Sequence, residues 1–253
     1  KKYRNQLLEK LEIDDKLLKS FKPKDALSPT IFQKDGNEYV LIDAIKDKLL
    51  KISDAFINFI DLDFFIYDIV LTGSIANFNW SEYSDIDLHI IINFNEFDSD
   101  TSKIIKSFFD SKKNIWNKDH NIKIKNFDVE VYVQDISEKH ISSGVYSILN
   151  NKWIIEPKYE KQYIDKRKIV DKTIEYMLII NDLEEKAKKG KDVLDDIDTV
   201  KQKLKIFRKT GLDSGGEFSY ENLTFKLLRR NGYVEKLINL KKDIIDKKLS
   251  IKQ

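Results

Sequence analysis

Apolar residues recur every three or four positions in two stretches of the first half of the chain. The first stretch comprises Leu41, Ile45, Leu49, Ile52 and Phe56. The second runs through Phe97, Thr101, Ile104, Phe108 and Ile115. This spacing places the apolar side chains on one side of a helix, and it therefore predicts two amphipathic helices.

Three other stretches are rich in the β-branched and aromatic residues that are typical of strands. They are Ile66 to Leu71, Asp85 to Phe94 and Ile122 to Gln134. The first is predicted to end in a turn at Thr72-Gly73-Ser74, and a brief helix is predicted from Ala76 to Trp80. This half of the chain therefore mixes strands with helices.

The pattern changes after Pro157, where only helical spacing is found. It covers residues 171–189, 192–209, 219–230 and 233–248, with Gly190, Gly211 and Asn231-Gly232 as predicted C-terminal caps and Ser219 as an N-cap. We predict an α+β fold in three parts. These are a polar lead-in over residues 1–40, a domain of strands and helices over 41–157, and an all-helical domain over 158–253.

Charge gives no general drive towards nucleic acid. The 253-residue chain has 45 basic and 43 acidic residues, for a net charge of +2, and 41% of its residues are hydrophobic. A chain of this length and composition can bury a sizeable apolar core. Binding to nucleic acid would need a local basic patch, since the net charge is near zero.

The absence of cysteine excludes a disulfide scaffold, a thiolate zinc site and a cysteine nucleophile. No segment approaches the roughly 18 continuous apolar residues of a membrane span. Lys1 to Lys10 do not resemble a signal peptide. We therefore expect a cytoplasmic protein with no membrane partner, and a secreted protein without cysteine is the alternative.

The strongest chemical signal lies around the second predicted strand. Asp85 and Asp87 are two positions apart, so their side chains share one face of that strand. Neighbouring carboxylates repel each other, and a cation that prefers oxygen ligands, Mg²⁺ or Mn²⁺, usually compensates them. Twelve residues before Asp85, Gly73 and Ser74 form a turn whose N–H groups and hydroxyl suit a triphosphate. Thr72 either lines this phosphate turn or makes a local hydrogen bond.

A further carboxylate is present on the third predicted strand. Asp128 and Glu130 share one face of that strand, while the alternating residues from Phe127 to Val133 are apolar. A third carboxylate would serve as a general base or as a ligand of a second metal ion. Glu130 is preferred because it lies deeper in the strand between two valines, and Asp128 remains the alternative.

This combination resembles the signature of the DNA polymerase β-like nucleotidyltransferase superfamily. That signature is a hydrophobic strand, Gly-Ser, a gap of ten or so residues, Asp-x-Asp and a later acid. The resemblance covers roughly residues 41 to 135 and implies a nucleotidyltransferase fold, a mixed sheet flanked by helices. It also implies two Mg²⁺ ions and transfer of a nucleoside monophosphate from an NTP, such as ATP, to a hydroxyl acceptor.

The resemblance also implies roles for the candidate residues. Asp85, Asp87 and Glu130 would ligate metal, with Asp128 as the alternative third acid. Gly73 and Ser74 would bind the nucleotide, with Thr72 as a further candidate.

Three phrases of the sequence also look like those of uncharacterised nucleotidyltransferase-like proteins of tailed bacteriophages. They are Asn79 to Asp87, Ser143 to Ser147 and Gly216 to Leu223. This resemblance implies a phage origin, with the host cytoplasm as the location, and no particular substrate.

Several alternatives remain open from the sequence. The acceptor could be an RNA 3′ end, a protein, another nucleotide or a small molecule. A competing hypothesis is a nucleotidyltransferase-like binding or virion-associated protein whose catalysis is lost or incidental. His89, Tyr132 and Gln134 continue the carboxylate faces, where packing is favoured over substrate contact. Basic runs in the C-terminal helices could contact phosphates, although a solvated helix surface is favoured.

Overall fold

The computed structural model describes residues 13–97 and 102–251. The beginning of the predicted lead-in and residues 98–101 of the helix predicted from Phe97 lie outside the described residues. Phe97 itself is described and is not helical, because it ends a 3₁₀ turn with an extended backbone. Within the two described ranges, no helix is both long enough and apolar enough to cross a membrane.

The described residues divide into two compact units. The sheet unit consists of residues 23–161, and the helical unit consists of residues 13–22 together with 162–251. The sequence predicts one lead-in over residues 1–40, whereas its described part divides between the two units after Lys22. The domain boundary at residue 157 stays a prediction.

The sheet unit contains two long helices and eight strands within its described residues. Its helices are α2 (Asp43–Ile60) and α3 (Ser102–Asp119). Its strands are β1 (Phe32–Asp35), β2 (Glu38–Leu41), β3 (Asp68–Thr72), β4 (Ile86–Ile92), β5 (Lys123–Ile124), β6 (Phe127–Asp135), β7 (Val145–Ser147) and β8 (Lys152–Ile155).

Six of these strands form a mixed sheet in the order β5-β6-β4-β3-β7-β8. The central pair β4 and β6 is parallel, and the other neighbours are antiparallel. A parallel pair needs a long crossover, which α3 supplies between β4 and the β5–β6 hairpin. The prediction of a mixed sheet with helices is thereby confirmed.

Each central strand has one apolar face, which packs under α2 and α3. Ile86, Leu88 and Ile90 of β4 are completely buried and belong to the same hydrophobic cluster as Phe56 of α2 and Phe109 of α3. The alternating residues of β3, β4 and β6 form the opposite side of the sheet, which we call the polar face. Its members are Asp68, Val70, Thr72, Asp87, His89, Ile91, Asp128, Glu130, Tyr132 and Gln134.

The structure contains two β-hairpins that the sequence pattern does not predict. The predicted lead-in contains the β1–β2 hairpin, in which Gly36 has a φ of +60° at the turn before Asn37. A Gly-Asn pair between strands is a recognised hairpin signal, so this feature could have been found. The predicted continuous strand from Ile122 to Gln134 is the β5–β6 hairpin, because Lys125 adopts a φ of +55° and reverses the chain.

Strands β7 and β8 are not predicted from the sequence. They have three and four residues, which is too short for a clear alternation of apolar and polar positions. All three residues of β7 are buried, so that strand has no polar side at all. Pairing with β3 defines β7, and the sequence pattern does not reveal this long-range contact.

The helical unit has only helices and turns among its described residues, as the sequence predicts. These are α1 (Asp15–Lys19), α4 (Lys166–Lys188), α5 (Leu194–Gly215), α6 (Tyr220–Arg230) and α7 (Tyr233–Leu249). Its hydrophobic cluster is separate from that of the sheet unit and includes Ile180, Ile197, Leu228 and Leu237.

The glycine punctuation of the helical unit is partly as predicted. Gly190 and Gly232 have φ values of +78° and +75° at helix ends, and the Ser219 hydroxyl caps α6 by accepting from the N–H of Asn222. The predicted cap at Gly211 is wrong, because Gly211 lies inside α5. A Cβ at Gly211 would lie 2.5 Å from the Cβ of Glu221. The need for close packing between α5 and α6 explains this glycine.

Candidate active site

The strand pairing brings a predicted carboxylate from each of two strands side by side. In the register of the parallel pair, Asp87 of β4 lies opposite Glu130 of β6. On the other side of β4, Asp87 pairs with Thr72 of β3. Neighbouring strands lie about 4.8 Å apart, so these three residues form one row across the polar face.

Asp85 lies immediately before β4 and is half-buried, like Asp87. Ile86 between them is completely buried in the hydrophobic cluster. This burial pattern has the alternation that the sequence predicts for an Asp-x-Asp strand.

The two candidates for the third acid have different surroundings. Asp128 is exposed near the edge of the sheet, and its Oδ1 forms an ion pair with the Lys123 Nζ at 2.7 Å. Glu130 is half-buried and lies directly opposite Asp87. The structure therefore places Glu130 in the row with Asp87, and it places Asp128 in an exposed ion pair.

Gly73 follows β3 and packs against the Asp87 carboxylate. A Cβ at this position would lie 2.0 Å from Asp87 Oδ2, so the carboxylate occupies the space of the missing side chain. Gly73 also has φ +78° and ψ −164°, a backbone region that is essentially restricted to glycine. Two separate constraints therefore require glycine here.

Ser74 links the two halves of the sequence motif. Its hydroxyl lies 2.8 Å from the hydroxyl of Ser84, and the Ser84 Oγ also accepts from the N–H of Ser81 at 3.0 Å. Because Ser84 directly precedes Asp85, this hydrogen bond ties the Gly-Ser turn to the start of the Asp-x-Asp strand.

The brief helix predicted from Ala76 to Trp80 is instead a single 3₁₀ turn over Ser74–Ala76. Asn77 ends the turn with an extended backbone, and its Oδ1 accepts from the N–H of Phe78 at 2.7 Å. A side chain that binds the next backbone N–H in this way competes with continuation of the helix.

A loop before β7 braces the Gly-Ser turn from one side. A Cβ at Gly144 would lie 2.0 Å from the carbonyl oxygen of Ala76, so the two backbones are in direct contact. The side-chain amide of Asn77 donates to the hydroxyl of Ser143, and the Thr72 hydroxyl lies 3.5 Å from the carbonyl oxygen of Gly144. Thr72 thus contributes to the bracing through a residue distant in sequence, and its contact with phosphate stays a prediction.

Tyr132 and His89 adjoin the carboxylate row on the polar face. The Tyr132 hydroxyl donates to Glu130 Oε2, and the His89 ring stacks on the Tyr132 ring with centroids 4.8 Å apart. His89 Nδ1 donates to Gln134 Oε1 at 2.7 Å. The sequence places these residues on the right face, but it favours simple packing and misses the bond to Glu130.

Burial shifts the pKa values of both Tyr132 and His89, and the nearby carboxylates also act on Tyr132. Burial raises the pKa of the Tyr132 phenol, and the charges of Asp87, Glu130 and Asp85 raise it further. Burial lowers the pKa of His89 to about 4, although its hydrogen bond to Gln134 opposes this shift. Tyr132 is therefore a protonated donor and His89 a neutral ring at neutral pH.

The described ranges contain no group of three or more His, Cys, Asp or Glu side chains close enough to form a metal site by themselves. The oxygen donors of Asp85, Asp87 and Glu130 nevertheless suit Mg²⁺ in kind. Mg²⁺ in proteins commonly uses one or two carboxylates and takes its other ligands from water and substrate phosphates. In their chemistry, the side chains of Asp85, Asp87 and Glu130 fit such an ion, which would take its remaining ligands from water or a substrate.

Comparisons with known proteins add little to this geometry. No protein-family model and no curated protein matches the chain. A solved structure with weak similarity is the STING-associated CdnE c-di-GMP synthase from Capnocytophaga granulosa. It is 10% identical over 82% of this chain and 84% of that chain, with a TM-score of 0.21. That score is too low to carry an argument, and the bacteriophage link expected from the sequence is unsupported.

Proposed function

We propose that the chain is a metal-dependent nucleotidyltransferase of the DNA polymerase β-like type. The observation that carries the proposal is the pairing of Asp87 with Glu130 on adjacent parallel strands, with the backbone of Gly73 against the Asp87 carboxylate. This arrangement brings a Gly-Ser turn and acids from two strands to one end of the polar face. Each part suits one portion of a nucleoside triphosphate and its metal ion.

The proposed roles follow from the chemistry of each group. Gly73 and Ser74 offer backbone N–H groups and a hydroxyl to the β- and γ-phosphates. Asp85, Asp87 and Glu130 offer carboxylate oxygens to Mg²⁺. When bound, Mg²⁺ would neutralise charge on the phosphates and stabilise the leaving pyrophosphate.

In the proposed reaction, the hydroxyl oxygen of the acceptor forms a bond to the α-phosphorus of the NTP. The bond between the α-phosphorus and the bridging oxygen breaks, and that oxygen leaves with pyrophosphate. The hydroxyl proton passes to a carboxylate, for which Glu130 is our candidate because it lies in the row with Asp87. The acceptor remains open among an RNA 3′ end, a protein side chain, a nucleotide and a small molecule.

The main test measures pyrophosphate release and label transfer from each of the four NTPs with Mg²⁺. Host RNA, host protein, nucleotides and small hydroxylated molecules are supplied as separate acceptor pools. We expect one acceptor pool to become labelled. The double variant Asp85→Ala with Asp87→Ala should lower the rate by about a thousandfold or more, because metal coordination contributes several kcal/mol. Full activity in this double variant would refute the assignment.

A matched pair of variants separates the two candidates for the third acid. Glu130→Gln keeps the shape of the side chain and should reduce pyrophosphate release as strongly as loss of a metal ligand. Asp128→Asn should retain most of the activity, because it removes only an exposed ion pair worth about 0–1 kcal/mol. The reverse order of effects would assign the role to Asp128.

Calorimetry with Mg²⁺ and each NTP tests the competing hypothesis of a non-catalytic protein. We expect heat of binding for at least one NTP, and we expect Asp85→Ala with Asp87→Ala to weaken it. If no NTP binds, the result would favour the competing hypothesis, in which the chain is a nucleotidyltransferase-like protein without catalysis.

A further inference from the structure

We propose that Tyr132 is a positioning residue that holds the Glu130 carboxylate in its working orientation. This inference rests on the proposed function of the row around Asp87 and Glu130. In this proposal, Tyr132 itself binds neither the metal ion nor the nucleotide.

The contact between the two side chains is specific to one carboxylate oxygen. Tyr132 and Glu130 are two positions apart on β6, so they are neighbours on the polar face. The hydroxyl of Tyr132 donates to Oε2 of Glu130, since an ionised carboxylate can only accept. The bond restrains the rotation of the carboxyl group and engages Oε2, so that Oε1 would be the oxygen for a metal ion or the acceptor proton.

Two neighbouring side chains contact the ring of Tyr132. The His89 ring stacks on it at 4.8 Å with an interplanar angle of 29°, and the Lys113 Nζ lies 5.2 Å from its centroid. His89 is fixed in turn by its 2.7 Å hydrogen bond to Gln134, whose Nε2 donates to the carbonyl oxygen of Glu138 at 3.2 Å. These contacts therefore restrain the position of the Tyr132 hydroxyl that donates to Glu130.

The backbone of β6 between Glu130 and Tyr132 is hydrogen-bonded on both of its edges. The ladder with β4 holds one edge of β6 along Glu130, Val131 and Tyr132. On the other edge, the Asn117 side chain of α3 accepts from the N–H of Val131 at 3.0 Å and donates to its carbonyl oxygen at 3.1 Å. Asn117 thus takes the place of a neighbouring strand beyond the end of β5. Rotation of the Glu130 side chain is the main freedom left, and Tyr132 restrains it.

The first experiment compares Tyr132→Phe with the wild type in the full chain. We expect kcat for pyrophosphate release to fall about tenfold with KM for the NTP nearly unchanged, since loss of a residue that orients a metal ligand typically costs 10- to 100-fold. Mn²⁺ affinity, measured by electron paramagnetic resonance without and with a non-hydrolysable NTP analogue, should weaken by a similar factor. Tyr67→Phe is the matched control, because it removes another Tyr–Glu hydrogen bond, to Glu96, from the same unit.

The second experiment asks whether Tyr132 acts through Glu130. Mn²⁺ affinity is measured for Tyr132→Phe, Glu130→Gln and the double variant, with circular dichroism to verify folding. We expect Tyr132→Phe to cause no further weakening once Glu130 is replaced, because the group that it positions is gone. Equal weakening in both backgrounds, or wild-type affinity in the single variant, would overturn the proposal.

The outcomes also separate this inference from the proposed function. A wild type that binds Mn²⁺ but releases no pyrophosphate with any acceptor would refute the function, and the affinity cycle would still decide the role of Tyr132. A wild type that binds no Mn²⁺, either alone or with the NTP analogue, would overturn both proposals.

Discussion

Gly73 shows how one residue can meet several requirements at once. From the sequence, we expect a glycine here because a backbone must approach phosphates closely. The structure adds a contact with the Asp87 carboxylate, which is 14 residues away in the chain and occupies the space of the missing side chain. This contact depends on the antiparallel pairing of β3 with β4, which local sequence patterns do not specify.

Replacement of Gly73 by alanine should therefore damage the site more than the fold. The added Cβ would lie 2.0 Å from Asp87 Oδ2 and would displace that carboxylate. We expect a loss of activity of about a hundredfold, since displacement of a catalytic group by 1 Å can cost that much. Pyrophosphate release and the free energy of unfolding should be measured together.

Gly36→Ala is the matched control for Gly73→Ala. Gly36 also has a positive φ, but nothing lies within 4 Å of its added Cβ. Its replacement should cost about 1–2 kcal/mol of stability through backbone strain and leave the rate unchanged. Unchanged activity in Gly73→Ala would contradict a functional contact between Gly73 and the Asp87 carboxylate.

The candidate residues could be predicted from the sequence where local alternation defines them. Asp85 and Asp87 share a face because strand side chains alternate, and Glu130 is preferred over Asp128 for its place between valines. The alternation could not reveal the bond between Tyr132 and Glu130, because it fixes a face and leaves the side-chain rotation undefined. Likewise, only tertiary pairing determines that Asp87 lies opposite Glu130.

At the scale of the elements, long helices and strands with a clear period were predictable and short ones were not. The helices that pack on the sheet and those of the helical unit follow from their apolar spacing. The strands β7 and β8 lack enough residues to show a period, and their contacts with more distant parts of the chain stabilise them. The predicted cap at Gly211 is wrong for a related reason, because the close contact that requires glycine there is with the neighbouring helix.

Gly211→Ala tests that packing between α5 and α6. Alanine favours a helix over glycine by about 1 kcal/mol, but its Cβ would lie 2.5 Å from Glu221 Cβ and 2.7 Å from Ser219 Oγ. Overpacking typically costs 1–3 kcal/mol, so we expect a net loss of roughly 1 kcal/mol in the free energy of unfolding. Denaturant titration measures this value.

Gly215→Ala, in the last turn of α5, is the comparison for Gly211→Ala. Its nearest contact would be at 3.1 Å from Ser219 Cβ, so the neighbour must shift only slightly. A stabilising effect of Gly211→Ala would mean that α5 and α6 are not in close contact there.

At the scale of the whole molecule, the chain has a separate hydrophobic cluster in each unit. The sheet unit buries one between its apolar sheet face and α2 and α3, and the helical unit buries another among its own helices. Substitutions in one cluster should therefore act first on the unit that contains them.

Leu49→Ala and Leu228→Ala form a matched pair for this prediction. Both leucines are completely buried, one in each cluster. Each substitution should cost about 2–5 kcal/mol. Hydrogen exchange measured by mass spectrometry should show faster exchange mainly within the sheet unit for Leu49→Ala and within the helical unit for Leu228→Ala. Equal acceleration in both units would indicate a single cooperative molecule.

The helical unit draws its residues from both sides of the sheet unit in sequence. Its early part, residues 13–22, includes Ser20 and Phe21, which contact the guanidinium of Arg230 more than 200 positions later. During synthesis on the ribosome, the residues of the sheet unit all emerge before that arginine is made. The sheet unit can therefore fold as soon as it has emerged, while residues 13–22 must wait for their partners. A pause in translation after the sheet unit has fully emerged, but before Arg230 is made, would leave the early segment exposed to chaperones and proteases, with the polar face and its carboxylates already in place.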